Sequence, residues 1–303
     1  MPTHPSPGRR TFLLAASSLP LATSAFAWAD NVGDKQRVAE AAEAAEALAT
    51  LETAFGGRLG VSAMHTADGA HLAYRGNERF ALCSTVKVMI AGAILQRSTQ
   101  VKGLLQQRIR YPESELVSYS PITEDHVADG MTVAELCAAG LQYSDNSAAN
   151  LLIKLLGGLA GVNAFARSIG DREFRLDRWE TELNSALPGD PRDTTTPDAM
   201  ARSLQKLAVG DALAPALRQQ LQDWMDGNTT GATRIRAGAP AGWQIGDKTG
   251  TGDYGSANDI GVLRAPGRAP LVVAIYTTQH QQDAKARSDV IASATKIIVD
   301  WMG

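Results

Sequence analysis

Cysteine is scarce in this chain of 303 residues. Cys83 and Cys137 are the only two, and both lie in or beside apolar helical runs, which reads as two buried free thiols. The five histidines are scattered, and neither HExxH nor CxxC occurs, so no metal site and no cofactor is implied. There is no excess of one charge. A formal net charge of -3 gives no general attraction to nucleic acid or to anionic lipid. Internal repeats and low-complexity linkers are missing, as is any apolar run long enough to span a bilayer. What is present is ordinary for a folded protein. Charged residues make up 20% and hydrophobic ones 44%, and the length allows one large domain or two modest ones with a sizeable core.

The first 27 residues differ from the rest. GRRTFLLAASSLPLATSAFA carries a basic pair, Arg9 and Arg10, then an apolar run, then small residues with Ala25 and Ala27 as candidate cleavage determinants. This is the pattern of an export signal. Adjacent arginines followed by Thr11, Phe12 and Leu13 resemble a twin-arginine signal, which implies the export machinery as a partner and the periplasm as destination.

Beyond the signal, residues 34–55 are rich in Ala, Glu and Leu and read as a surface helix. GRLGVSAMHTADGAHLAYRG alternates and turns at Asp68-Gly69, which predicts a hairpin. From Ser84 to about Met225 the pattern is mostly helical, with TVAELCAAGLQYS and SAANLLIKLLGG as two apolar-striped segments. After Gly238 the period becomes two. GWQIGDKTG, SANDIGVLRAP and APLVVAIYTT read as three adjacent strands, and DAKARSDVIASATKIIVDWM as a closing helix. The fold class expected is α/β plus all-α: an antiparallel sheet flanked by terminal helices, with an inserted helical lobe. In domain terms, residues 1–27 are the export signal and 28–303 a single catalytic unit. Its α/β lobe takes residues 28–82 and 226–303, and its helical lobe 83–225. A cleft between the lobes is the expected ligand site.

Three short motifs carry chemistry. In CSTVKVMIAGAIL, Ser84 and Lys87 are three apart on one helix face, at a helix start where free N–H groups favour developing negative charge. A lysine there can take a hydroxyl proton; read alone, the pair is also an N-cap serine with a snorkelling lysine. Ser144, Asp145 and Asn146 fall between the two apolar segments, where they fit a helix cap as well as a proton relay with a substrate-binding amide. Lys248, Thr249 and Gly250 end a strand and are followed by Thr251 and Gly252. Such an edge can pair with an extended ligand and offers a positive charge, though a plain turn is the simpler reading.

Ser-x-x-Lys, SDN and KTG in this order resemble the serine β-lactamase and penicillin-binding protein group. RWETELN, with Glu180 and Asn184, narrows the resemblance to class A β-lactamases over essentially the whole mature chain. The resemblance implies hydrolysis of β-lactam antibiotics through a serine acyl-enzyme, by a monomer, at a site between two lobes. It implies Ser84 as nucleophile, Lys87 as base or relay, and Ser144 as proton donor to the leaving nitrogen. Asn146 then binds the acylamino side chain and steadies Lys87. Glu180 activates the deacylating water and Asn184 holds it; whether Glu180 or Lys87 takes the proton during acylation stays open. Lys248, Thr249 and Thr251 are implied to bind the substrate carboxylate, and the N–H groups of Ser84 and Thr251 to form the oxyanion hole. Tyr119, in SYSPITEDH, matches an aromatic residue at the cleft mouth, and Arg178 with Asp193 matches the ion pair that closes an omega-shaped loop.

The chain departs from the family pattern in three places. Thr181 follows Glu180 where many members carry proline after a cis bond. Cys83 precedes the nucleophile as in carbapenem-hydrolysing members, but their partner cysteine is here Gly252, so that bridge is absent. The usual late arginine is Ser288, while Arg234, in GATRIRAG, occupies an alternative position reaching the same carboxylate pocket; as an isolated residue it also reads as a solvated helix charge. Two other functions share part of the pattern. A D-alanyl-D-alanine peptidase would not need the RWETELN loop. A β-lactam sensor would lack an effective deacylating carboxylate and would usually carry a membrane segment.

Overall fold

The computed structural model describes residues 1–4 and 24–303. The arginine pair and apolar run of the expected export signal, residues 1–27, lie outside the described residues. The chain divides into two units, Met1–Ala39 and Glu40–Gly303. The first contains the opening part of helix α1 (Ser24–Phe55), and the second contains the rest of α1 and all that follows. Helix α1 begins before the expected residue 34 and runs through Gly33. An interior glycine costs about 1 kcal/mol, too little to end a helix in alanine-rich sequence.

Strands β1 (Arg58–His65) and β2 (His71–Tyr74) form the expected hairpin, with Met64 opposite His71. In its turn the Asp68 carboxylate accepts the Ala70 N–H, and Gly69 takes a φ of 73° that favours glycine. Strand β3 (Phe80–Ala81), a 3₁₀ turn (Cys83–Thr85) and helix α2 (Val86–Ser98) follow. Short strands β4 (Arg108–Ile109) and β5 (Met131–Thr132) pair with each other. Helices α3 (Val133–Gln142), α4 (Asn146–Leu155) and α5 (Leu159–Ser168) come next. Strand β6 (Thr194–Thr195) pairs with β3 and leads to helices α6 (Pro197–Ala208), α7 (Pro215–Asp226) and α8 (Ile235–Gly238). The chain ends with β7 (Gln244–Thr251), β8 (Ala257–Arg264), β9 (Leu271–Thr278) and helix α9 (Ser288–Met302). Helix α9 starts later than the expected Asp283, because the preceding residues form a loop in which the Gln282 carbonyl accepts the Tyr254 N–H at 2.9 Å.

The main sheet is antiparallel with strand order β2-β1-β9-β8-β7, so the first and last strands of the chain meet at its centre. Alternation along β9 separates two cores. Val273 and Ile275 join Leu59 and Val61 of β1 under Leu48 of α1 and Ile291 and Ile298 of α9. Val272, Ala274 and Tyr276 face the other way, into the core shared with α6 and the helical middle of the chain. Helix α2 is buried from Val86 through Leu95, the signature of a helix packed on all sides. Cys83 and Cys137 are buried and unpaired, and burial pushes the Cys83 thiol up to about 12.

Candidate active site

The 3₁₀ turn that carries Ser84 runs directly into α2. Neither the turn nor the helix has a side-chain cap, and Ser84 Oγ accepts a hydrogen bond from Lys87 Nζ at 2.7 Å. Lys87 does not snorkel, being 2% exposed. Its amine lies 2.7 Å from Asn146 Oδ1, 3.1 Å from the Ser144 carbonyl and 2.7 Å from Glu180 Oε1. This ring of oxygens explains how an amine can sit at the start of a buried helix, since a buried charge must be paired and hydrogen-bonded.

The SDN segment divides its work. Asp145 is the N-cap of α4 and accepts the Ala148 N–H, so the capping reading holds for this residue. The Asp145 carboxylate also accepts the N–H groups of Ile122 and Thr123, which ties the Tyr119 loop to the helix. Ser144, at a φ of 61°, and Asn146 flank the cap and turn toward the lysines. Ser144 Oγ accepts from Lys248 Nζ at 3.0 Å and lies 3.5 Å from Lys87 Nζ. Asn146 donates to the Ser118 carbonyl at 2.8 Å, which orients its Oδ1 toward Lys87.

Lys248, Thr249 and Thr251 belong to β7, the last strand of the sheet, and pair with Ile260, Asp259 and Ala257 of β8. KTG is therefore strand and not turn. Lys248 is fully buried, and burial, then the neighbouring charge of Lys87, pull its amine down to about 7. Arg234 is buried too. It donates to the carbonyls of Gly250 and Asn258 and to Thr251 Oγ1 at 2.6–2.7 Å, and to Ser288 Oγ at 3.3 Å. The solvated-charge reading of Arg234 fails on this burial, and the serine at 288 receives the arginine that reaches the strand from position 234.

Glu180 comes from the irregular segment between α5 and β6. It is 3% exposed, and its Oε2 accepts from Asn184 Nδ2 at 2.6 Å while Oε1 lies 3.5 Å from Ser84 Oγ. The Glu180–Thr181 peptide bond is cis. Arg178 donates to Asp193 Oδ2 at 2.6 Å, and Asp193 Oδ1 accepts the N–H groups of Asp177 and Arg178, so this one buried carboxylate closes the loop at its base. Gly252 packs against both sides of the site. A Cβ there would lie 2.8 Å from Cys83 Sγ and 2.5 Å from the Asn184 carbonyl oxygen.

Ser84, Tyr119, Ser144, Asn146, Asn184, Arg234, Thr249 and Thr251 thus line one cleft of about 350 Å³, and Lys87, Glu180 and Lys248 lie buried beside it. Tyr119 stands at the cleft 59% exposed. A larger cavity of about 430 Å³, beside Phe80 and residues 186–192, contains none of these groups. Two further residues went unread in the sequence. Asn150 accepts the Glu180 N–H at 3.0 Å and donates to the Glu180 carbonyl at 2.8 Å, gripping the residue by its backbone. Its signal was available: it follows Asn146 by one helical turn, inside an otherwise apolar run. Thr230 lines the cleft and lies 2.5 Å from Thr249 Oγ1; nothing in TTGATR marked it. Asn184 Oδ1 is buried without a protein partner, which suits an acceptor reserved for water beside Glu180.

Residues 43–302 match the Beta-lactamase enzyme family. A β-lactamase of Citrobacter koseri is 52% identical over 295 residues, covering 97% of this chain and 98% of its own. A carbapenem-hydrolyzing β-lactamase, KPC, of Klebsiella oxytoca is 53% identical, with 97% of each chain covered. Among solved structures, a β-lactamase from Desulfarculus baarsii superposes with a TM-score of 0.86 at 59% identity, over 87% of this chain and 98% of the other.

Proposed function

The chain belongs to the β-lactamase enzyme family, class A, and hydrolyses the β-lactam ring; from that premise we propose the following division of labour among its residues. Ser84 Oγ attacks the lactam carbonyl, with its own N–H and that of Thr251 holding the developing oxyanion. As Lys87 takes the Ser84 proton, it hands one to Glu180 Oε1. When the ring opens, that proton returns through Lys87 and Ser144 to the leaving nitrogen, and Glu180 is again a carboxylate. Water held by Asn184 then gives a proton to Glu180 and attacks the ester, and Ser84 recovers its proton as the product leaves. Asn146 binds the acylamino side chain. Lys248, Thr249, Thr251 and Arg234 hold the substrate carboxylate, and Tyr119 borders the substrate at the cleft mouth. The observation that carries this reading is the position of Lys87 Nζ, 2.7 Å from each of Ser84 Oγ, Glu180 Oε1 and Asn146 Oδ1. A peptidase has no need of the Glu180 arm of that junction.

The substrate range follows from the cleft walls. Thr251 and Arg234 favour cephalosporins alongside penicillins, and Gly252 leaves Cys83 without the partner that accompanies carbapenem hydrolysis. A kinetic panel of one penicillin, one early cephalosporin, one oxyimino cephalosporin and one carbapenem is expected to show turnover of the first two and poor turnover of the last. Efficient carbapenem hydrolysis would contradict the argument from Gly252.

The carboxylate site also sets a pH limb. Lys248 binds an anion as the ammonium, which is present below about 7 in the free enzyme and lost above it. The kcat/KM for a carboxylate-bearing substrate is therefore expected to fall by up to tenfold per pH unit above that point. Lys248→Arg should move the limb out of the measurable range. A profile flat from neutrality to two units above it would refute the assignment.

The protein acts as a monomer, all of these roles falling to one chain, and it reaches the periplasm by the twin-arginine route. The second statement rests on GRRTFLLAA. Replacing Arg9 and Arg10 with lysine is expected to leave active enzyme in the cytoplasm; unchanged periplasmic activity would eliminate that route.

A further inference from the structure

A chain of hydrogen-bonded side chains leads from behind β7 into the cleft. Arg236 Nε donates to Asp247 Oδ1 at 2.7 Å, and Asn228 Nδ2 donates to Asp247 Oδ2 at 2.7 Å. The other end of the Asn228 carboxamide accepts twice from Thr230, from its N–H at 3.0 Å and from its hydroxyl at 2.8 Å. That backbone N–H identifies the accepting atom as the carbonyl oxygen, which cannot donate. Thr230 has one hydroxyl proton, and Asn228 holds it. The 2.5 Å contact between the two threonine hydroxyls is then made by the proton of Thr249. In this arrangement Thr249 turns its proton away from the cleft and presents a lone pair to it.

An anionic group at Lys248 and Arg234 needs the opposite. We propose that Thr230 is a specificity-determining positioning residue, whose hydroxyl accepts the Thr249 proton in the free site and donates to Thr249 once a carboxylate has drawn that proton into the cleft. Both hydroxyls rotate together. Asn228 Oδ1 keeps the Thr230 N–H throughout, so neither arrangement strands a buried acceptor. A neutral carbonyl accepts from Thr249 more weakly than a carboxylate does, so the pair of threonines favours anions beyond the effect of the two cations. This inference rests on the reading of Thr249 as part of the carboxylate site.

Benzylpenicillin and its methyl ester differ only at that carboxylate and test the inference directly. The wild-type enzyme is expected to prefer the acid in kcat/KM. Thr230→Val, close in shape, is expected to reduce the acid-to-ester ratio by up to about tenfold, the weight of the hydrogen bond from Thr230 to Thr249. The loss should appear in KM and not in kcat, because the contact is made equally in ground and transition states. Thr230→Ser keeps the hydroxyl and should restore the ratio, with melting temperatures reporting that all three proteins are folded. A wild-type enzyme that treats acid and ester alike overturns the carboxylate reading and this inference with it. A wild-type preference that Thr230→Val leaves intact, or a loss shared equally by acid and ester, overturns this inference alone.

Discussion

Glu180→Gln mixed with benzylpenicillin is expected to stop at the covalent ester, gaining the mass of one intact drug per chain. The glutamine keeps the size and polarity of the glutamate and can still accept through its carbonyl, but it has no carboxylate to take a proton from water. Ser84 and Lys87 remain 2.7 Å apart, and Ser144 remains 3.0 Å from Lys248, so the ring still opens, more slowly, with neutral Lys87 as the base in place of the Glu180 arm of the relay. With that one oxygen turned to Lys87, the glutamine presents its amide to Asn184, whose Nδ2 loses the acceptor that lies 2.6 Å away. General-base catalysis contributes about 10²–10⁴-fold, and turnover should fall by at least that factor, with an early burst close to one equivalent. Ser84→Ala treated in parallel should show no adduct. Near-normal turnover by Glu180→Gln without an adduct would remove Glu180 from the mechanism, and a peptide ending in D-alanyl-D-alanine would then be the substrate to try.

Asp193→Ala should be the most damaging change away from the reacting atoms. The carboxylate is 1% exposed and accepts from the Arg178 guanidinium and from two backbone N–H groups, so its removal strands three donors at once. Breaking a buried ion pair from one side costs about 3–5 kcal/mol. In a domain of this size that lowers the melting temperature by roughly 10 °C. The damage should not remain local. The Asp193 carbonyl accepts the Leu82 N–H beside the nucleophile turn, and Glu180 follows Arg178 by two residues, so deacylation should slow and penicillin should show a burst. Asp193→Asn retains an oxygen for the two N–H groups and should lie between alanine and wild type. A melting temperature for Asp193→Ala within about 2 °C of wild type would mean that the loop is held by other contacts, with Asn150 as the first to examine.

Much of this architecture is legible in the sequence. Periodicity revealed the hairpin at Asp68-Gly69, the three strands after Gly238 and the buried helix after Ser84, because each depends on residues adjacent in the chain. Motif order picked out Ser84, Lys87, Ser144, Asn146, Glu180 and Lys248 as candidates, and the fold brings them together at one cleft. Boundaries were less legible. Helix α1 runs past Gly33 and α9 begins only at Ser288, since a loop bond or a tolerated glycine leaves no periodic trace.

The tertiary structure alone decided which polar residues reach the cleft and which hold others in place. Asp145 and Asn146 are neighbours of equal standing in the sequence, yet one caps a helix and the other reaches Lys87. Ser84 and Glu180 are separated by 96 residues, and Ser144 and Lys248 by 104, so their meeting depends on the helical core and the sheet packing together. Asn150 and Thr230 show the limit most clearly. Each acts through a hydrogen bond to another residue, Glu180 or Thr249, and a donor–acceptor pairing between distant segments has no local signature. Local preference follows the chemistry of single residues; the geometry of a site arises from contacts that exist only after the apolar surface has been buried.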